Sequence, residues 1–356
     1  MFITGLGTAV PANQYSKAQC LAAFESSDWF AKLDSRANFL ARTVLQRDNG
    51  IEFRHLAVDR LAQVFDIEPN TLAARFLNHA PALAAQSASK ALAAANLQAS
   101  QIDAVVVSTC TGYLCPGLSG YLVELLGLRA DVQAFDLVGQ GCAAALPNMR
   151  LGQALLSSGA CDHVLSVCVE VSSAAMYLDN EAGVIISACL FGDGSGAAVL
   201  SSKPQSGRGA HHRRMEWLDS ASITLPTHRD ALKFEQRDGM LRNILTREVP
   251  ALAAEHASQV LQTVFARTSL TVHDISAWVM HAGGRDVLVA LSKKLNLEPA
   301  HLRYSAAMLR EHGNLSSAFV YFVLQAALAD KAEDGSWWLS SFGAGFSCHG
   351  ALLKVG

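Results

Sequence analysis

Residues 135–156 read FDLVGQGCAAALPNMRLGQALL, an apolar strand-like run that meets a Gly-Cys step and then an Ala- and Leu-rich helical pattern. The same plan returns later in the chain. A strand end at Cys110 precedes Cys142 by 32 residues, and a strand end at His281 precedes Asn314 by 33. In both places an Ala-rich helix follows at once and feeds another strand. An offset of about 171–173 residues therefore superposes two halves, the mark of an internal duplication.

Working outward, helical patterns at 80–96 and 143–158 alternate with β-branched runs at 103–109, 163–169 and 195–200. The second half repeats this with helices at 249–268, 285–295 and 314–330 and strands at 275–281, 336–341 and 346–354. Such alternation predicts α/β layering. Between the halves, Ser201–Arg214 (SSKPQSGRGAHHRR) is the most linker-like segment, polar, Gly-containing and basic. The expected division is an N-terminal half at 1–207, carrying Cys142, and a C-terminal half at 208–356, carrying His281 and Asn314. The cluster His211, His212, Arg213 and Arg214 reads as a solvated linker face, with an anion site as the other reading.

Composition narrows the partners. The chain has 356 residues, 51% hydrophobic and 17% charged, which excludes a disordered or collagen-like chain. The 28 basic and 31 acidic residues are too balanced for a nucleic-acid or anionic-membrane footprint, which leaves small molecules. No stretch reaches the roughly 18 consecutive apolar residues of a membrane span. The N-terminus lacks the basic region and cleavage site of a signal peptide, so a cytoplasmic protein is expected. Eight Cys form no CxxC pair, so no zinc or thioredoxin-type motif is spelled out and no metal site is expected.

Three stretches place a reactive side chain beside small residues at the edge of an element. In the first, Cys142 near backbone N–H groups of a helix start is the candidate nucleophile, because such a position favours the thiolate. Pro147 implies that the regular helix starts a few residues later, which weakens the dipole contribution. In WVMHAGGRDVL, His281 ends an apolar strand, and in REHGNLSSAFVYF, Asn314 follows a glycine at a helix start. Alone, these two read as a hydrogen-bonded core histidine and an N-cap. Duplication changes that reading, since quasi-symmetric halves bring equivalent helix starts together. A Cys–His–Asn set fits thioester chemistry: a thiolate takes an acyl group, and two donors hold the enolate left when a malonyl unit loses carbon dioxide.

The pieces GQGCAAALPNMRLG, LFGDGSGAAVL, HAGGRDVL, GNLSSA and FGAGF, in this order and spacing, resemble the type III polyketide synthases, the chalcone and stilbene synthase relatives. The likeness runs from LGTAVP near the N-terminus to the last strand. It implies the duplicated, five-layered αβαβα thiolase fold in a homodimer, with Cys142, His281 and Asn314 as nucleophile, base and amide donor. It also implies an aromatic gatekeeper at Phe191 and a pocket role for Ser316 in GNLSSA. The implied chemistry is loading of an acyl-CoA starter on Cys142, decarboxylative condensation with malonyl-CoA, and cyclisation, with no metal or other cofactor.

Departures from the plant pattern suggest a bacterial member. Asn243 stands where plant relatives carry a second gatekeeper Phe, which makes that side of the cavity more polar or more open. Cys110, in STCTGYLCPG, takes a pocket position where chalcone synthases have Thr, and reads equally as a buried apolar thiol. Cys115 falls where a residue of the family crosses the dimer interface. SFGAG at 341–345 and HAGG at 281–284 differ from the usual loops. The Asp193 carboxylate reads as a cap for neighbouring backbone N–H groups. Arg42, Arg47 and Arg54 are basic residues near the expected CoA entrance, with no assignment among them. A fatty acyl starter giving alkylpyrones or alkylresorcinols is the leading expectation, with tetrahydroxynaphthalene from malonyl-CoA alone as another. Two rivals remain: a single-step ketoacyl-carrier-protein synthase, which shares the Cys, His and Asn but differs at HAGG and GNLSS, and a catalytically silent thiolase-fold subunit.

Overall fold

How deeply each strand is buried reports the layering. A computed structural model describes residues 1–204 and 213–356. In it β1 (Phe2–Ala9) buries alternate residues, followed by the short pair β2 (Gln14–Ser16) and β3 (Phe53–His55). Next come β4 (Ala104–Ser108), β5 (Gln133–Asp136), β6 (His163–Glu170) and β7 (Gly194–Ser201). β4 and β7 bury every residue, as expected of strands covered on both faces. The second half adds β8 (Met215–Thr224), the hairpin β9 (Leu232–Arg237) and β10 (Met240–Leu245), and β11 (Ile275–Met280), β12 (Gly335–Gly343) and β13 (Ser347–Val355).

Among the described residues nine of these strands form one continuous sheet, in the order β11-β12-β13-β8-β1-β7-β6-β4-β5. The order is nearly its own mirror. Outward from β1, β7 and β6 run antiparallel and β4 is parallel to β6; outward from β8, β13 and β12 run antiparallel and β11 is parallel to β12. The two half-sheets join where Phe2 and Ile3 of β1 pair with Glu216 and Met215 of β8.

Helices complete five layers. Pro69–Ala95 covers β1, β6 and β7 on one outside, and Val249–Thr268 covers β8, β12 and β13 on the other. Ala145–Ser157 and Phe319–Ala329 lie between, each touching strands of both half-sheets. The latter shows why its sequence is apolar all round: Phe319, Val320, Tyr321, Val323 and Leu324 are all fully buried. This is the duplicated αβαβα arrangement. No helix among the described residues is long and apolar enough to cross a membrane.

Three boundaries differ from the pattern. The helix foreseen at 80–96 begins at Pro69, where the Glu68 carboxylate accepts from the backbone N–H of Asn70 and Thr71, and it runs through the buried Pro81 because Leu72, Phe76, Ala80 and Ala84 pack inward. Both central helices start late, at Ala145 and Phe319, after single tight turns at Gly141–Ala143 and Ser316–Ala318. Left-handed backbone at Gly141 (φ 54°) and Ser316 (φ 51°) stops regular helix from reaching further back. The 207/208 boundary and His211 and His212 lie outside the described residues. Arg213 pairs with Asp334 and lies over the Trp337 ring, and Arg214 pairs with Glu216 at 2.7 Å, so both are occupied by carboxylates.

Candidate active site

The two tight turns ahead of the central helices pack against each other, and this brings the halves' equivalent positions together. Cys142 occupies the first turn and is 6% exposed. Its helix begins three residues on, with Pro147 in the first helical turn where a missing N–H costs nothing. The turn is backed by Gly343, whose position admits no side chain: a Cβ there would lie 2.6 Å from the Ala143 amide nitrogen.

His281 follows β11 and is buried against the edges of Phe319 and Phe342, with ring centroids at 5.4 and 4.9 Å. Neither ring nitrogen has a hydrogen-bond partner among the described residues, a costly state for a core histidine and a useful one for a group that meets substrate. Asn314 does two things at once. Its Oδ1 accepts from the Ser316 N–H at 2.9 Å, which is the capping role its sequence position allows. Its Nδ2 donates to the Gly283 carbonyl at 3.0 Å, which fixes the amide and leaves its second hydrogen to give.

Cys142, His281 and Asn314 line one cavity of about 490 Å³. The same cavity extends to Arg47, Arg247 and Arg285, all solvent-exposed, so it opens a route from the surface to the sulfur. Arg47 and Arg247 make no ion pair among the described residues.

Behind Cys142 lies a second thiol. The Ser316 hydroxyl stands 3.2 Å from Cys142 Sγ, 3.3 Å from Cys110 Sγ and 3.3 Å from Glu170 Oε1. Glu170, the last residue of β6, is fully buried and accepts from the Cys110 N–H at 3.1 Å, from Thr111 Oγ1 at 2.9 Å and from the Ser317 hydroxyl. Burial pushes the Glu170 carboxyl up. The two thiols titrate as a pair. The Cys110 thiol, then His281 and Ser316, hold Cys142 well below the ordinary cysteine range against the opposing effect of burial, while Cys110 is driven well above it by Cys142, burial and Glu170. Cys110 is thus hydrogen-bonded rather than an isolated apolar thiol. It is a polar neighbour of the reactive sulfur.

Phe191 separates two spaces. It lines the 490 Å³ cavity on one side and on the other a chamber of about 30 Å³. Ser316, Asn243, Thr111, Ser172 and Phe234 also line the chamber. Asn243 and Phe234 face each other across the β9–β10 hairpin. Arg242, 3% exposed at its side chain, fastens that hairpin to Asp179 at 2.7 Å and Glu181 at 2.8 Å, and pairs across its strands with Glu235 at 2.9 Å.

The remaining sequence candidates divide. Cys115 is exposed and lines neither space. Arg54 is buried, donating to the carbonyls of Ala188 and Phe191 at 2.8 and 3.2 Å, and so holds the backbone at Phe191 rather than standing at the entrance. Arg42 pairs with Glu25 on the surface, and only Arg47 of the three reaches the cavity mouth. Asp193 accepts from the backbone N–H groups of Ala57 and Ser173 at 2.7 and 2.8 Å, as a cap does. Sequence reasoning passed over Glu170, Ser172 and Arg247. The sole carboxylate in an otherwise apolar strand, HVLSVCVE, was the available signal for Glu170.

Residues 11–280 match the family model described as FAE1/type III polyketide synthase-like protein, and residues 218–355 match the C-terminal domain of chalcone and stilbene synthases. A 3,5-dihydroxyphenylacetyl-CoA synthase from Streptomyces toyocaensis is 27% identical over 362 aligned positions, covering 99% of this chain and 89% of the relative. PKS-I from the brown alga Ectocarpus siliculosus superposes with a TM-score of 0.89 at 23% identity, covering 99% of this chain and 97% of that one. The 1,3,6,8-tetrahydroxynaphthalene synthase of Streptomyces coelicolor A3(2) gives 0.86 at 22% identity, covering 99% of each. At those identities the two structures speak for the fold alone. The family match decides between the rivals left by the sequence: this chain belongs to the type III polyketide synthases, acyltransferases that condense malonyl-CoA decarboxylatively onto acyl-CoA substrates without a further cofactor.

Proposed function

We propose that Cys142, His281 and Asn314 are the catalytic set of this synthase and that it builds a short polyketide on a compact starter. The observation that carries the reading is the meeting of the three side chains on one cavity that reaches solvent, with both His281 nitrogens unpartnered.

A CoA ester enters by the mouth, where Arg47 and Arg247 attract its phosphates. The Cys142 thiolate attacks the thioester carbonyl; a new carbon–sulfur bond forms, the bond to CoA breaks, and the CoA thiolate leaves and takes up a proton. Malonyl-CoA then releases carbon dioxide, and the electron pair of the broken carbon–carbon bond passes into its thioester carbonyl. His281 and the free Asn314 hydrogen hold the resulting enolate oxygen. The enolate carbon attacks the acyl group on Cys142, which returns the thiolate and leaves a chain two carbons longer on CoA.

The chamber beyond Phe191 argues against the fatty acyl starter expected from sequence. A water needs roughly 10–15 Å³ of such space, so about 30 Å³ takes a group of acetyl size. The name of the Streptomyces toyocaensis relative, which specifies a small dihydroxylated aromatic product, supports the same reading. We also propose division of the chain into halves at 1–207 and 208–356, and pairing of two copies. The pairing edge is β5, a mostly exposed outer strand; Tyr113 and Val138, in the loops after β4 and β5, are 80% and 65% exposed. Cys115 lies in the first of those loops.

Mass spectrometry of products from malonyl-CoA and acyl-CoA starters of increasing length tests this. Cyclised products from starters of two to four carbons are expected. Efficiency that rises with chain length, or a single extension that requires an acyl carrier protein, would contradict it.

A further inference from the structure

Asn243 and Ser172 stand out in the small chamber because each buries a polar atom that nothing satisfies. Asn243 is 7% exposed, and neither its Oδ1 nor the Ser172 Oγ has a hydrogen-bond partner among the described residues. Such atoms are expensive to leave bare inside a protein, and their persistence marks a place built for a ligand group. The hairpin explains why Asn243 must face the chamber. Successive strand residues point to opposite sides, and directly opposed residues share a side. Arg242 and its partner across the hairpin, Glu235, therefore take the face that meets Asp179, while Asn243 and Phe234 take the face that lines the chamber.

The lining also says what kind of group fits. It contains no Lys, Arg or His, so a carboxylate seated there would be buried without a counter-charge. A methyl group would leave both polar atoms bare. An uncharged oxygen serves both: an enol accepts from the Ser172 hydroxyl and donates to the Asn243 Oδ1, and a ketone accepts from Ser172 and, with the carboxamide turned over, from the Asn243 amide N–H. The route from the sulfur is short. Ser316 touches Cys142 Sγ and also lines the chamber, so an acyl group carried on the thiol passes Ser316 and ends near Asn243.

We infer that Asn243 and Ser172 read an uncharged oxygen at the far end of the chamber, so that the enzyme selects short β-ketoacyl thioesters over their reduced counterparts. The inference rests on the proposed reading of Cys142 as the acyl carrier.

Acetoacetyl-CoA and butyryl-CoA are a near-isosteric pair differing in that one oxygen, and competition between them as starters with malonyl-CoA is the test. The intact enzyme should favour acetoacetyl-CoA in kcat/KM by about tenfold or more, because a site built to hydrogen-bond an oxygen rejects the analogue that lacks it. In Asn243→Leu the ratio should fall toward one, and in Ser172→Ala, a smaller change that guards against loss of fold in the first, it should fall in the same direction. Equal use of the two starters by the intact enzyme overturns the inference, as does a ratio that neither substitution moves. Absence of product from acetoacetyl-CoA overturns it too. In that case carbon dioxide release from malonyl-CoA and labelling of Cys142 in the same samples tell whether the parent reading falls with it.

Discussion

The Ser316 hydroxyl lies 3.2 Å from the sulfur of Cys142, donated from a residue held in left-handed backbone at φ 51°. A non-glycine residue adopts that conformation rarely, and here it aims one hydroxyl between two thiols and a buried carboxyl. With a single proton to give, Ser316 serves Cys142 to the extent that Glu170 does not claim it.

A pH profile reads this arrangement. Iodoacetamide reacts with the thiolate, so its rate rises with pH through the Cys142 pKa, and a pKa held low sets that rise at low pH. Cys110→Ala, His281→Ala and Ser316→Ala each remove a group that favours the thiolate, so each should move the rise upward. The expected shift is about one to two pH units, since a hydrogen bond to a charged group contributes roughly 1.5–3 kcal/mol and one unit is about 1.4 kcal/mol. Cys110→Ser, which keeps a donor, should shift less. A profile unmoved by any of them removes the coupling.

Asn314→Ala separates the two half-reactions. In the proposed catalytic set its free amide hydrogen is offered to the enolate, so carbon dioxide release from malonyl-CoA should drop about a hundredfold. Acyl loading on Cys142, followed by intact-protein mass spectrometry, should fall less. Equal losses in both steps would falsify the assigned role.

Gly343→Ala tests how tightly the nucleophile turn is held. The added carbon would sit 2.6 Å from the Ala143 nitrogen and 2.7 Å from the Gln140 carbonyl oxygen, both backbone, so the turn itself must shift. Displacements near 1 Å at a reacting atom cost about a hundredfold in rate. Turnover should therefore fall at least about tenfold, with far-ultraviolet circular dichroism unchanged; full activity would show that the turn has room to yield.

Asp193→Ala addresses stability instead. The carboxylate is fully buried and accepts from Ala57 N–H, Ser173 N–H and, at 2.6 Å, Ser173 Oγ, and burial pushes it up. Three donors lose their acceptor at once, so unfolding by urea should show a loss of about 3 kcal/mol or more. A loss below about 1 kcal/mol would mean the cap is dispensable.

Much of this was legible beforehand, for identifiable reasons. The strand at Ala104–Ser108 is a continuous β-branched run, the helix at Val249–Thr268 a long Ala- and Leu-rich pattern, and the duplication at an offset of about 172 residues appears as mirrored strand order. Cys142, His281 and Asn314 could be found because duplication and motif order single them out, and the structure does place them on one cavity. What escaped is what depends on contact between distant segments. Arg54 and Arg47 lie seven residues apart in the sequence, yet Arg54, in β3, is buried behind Phe191 and Arg47, at a helix end, meets solvent. Glu170 gains meaning only when Cys110 and Ser316, 60 and 146 residues away, arrive beside it. The pattern at 80–96 missed the turns from Pro69 onward, which the burial of Leu72 and Phe76 keeps helical through Pro81.

The β9–β10 hairpin is held by charge as well as by packing. Leu232 joins the apolar core that welds the five layers, and Arg242 latches the flap to Asp179 and Glu181. Exchanging Phe234 and Asn243, which line the small chamber and not the cavity that holds Cys142, would rewrite the shape and polarity met there while leaving Cys142, His281 and Asn314 in place. In the proposed reading catalysis and product choice then sit in separable parts, and a lineage can keep the first while it experiments with the second.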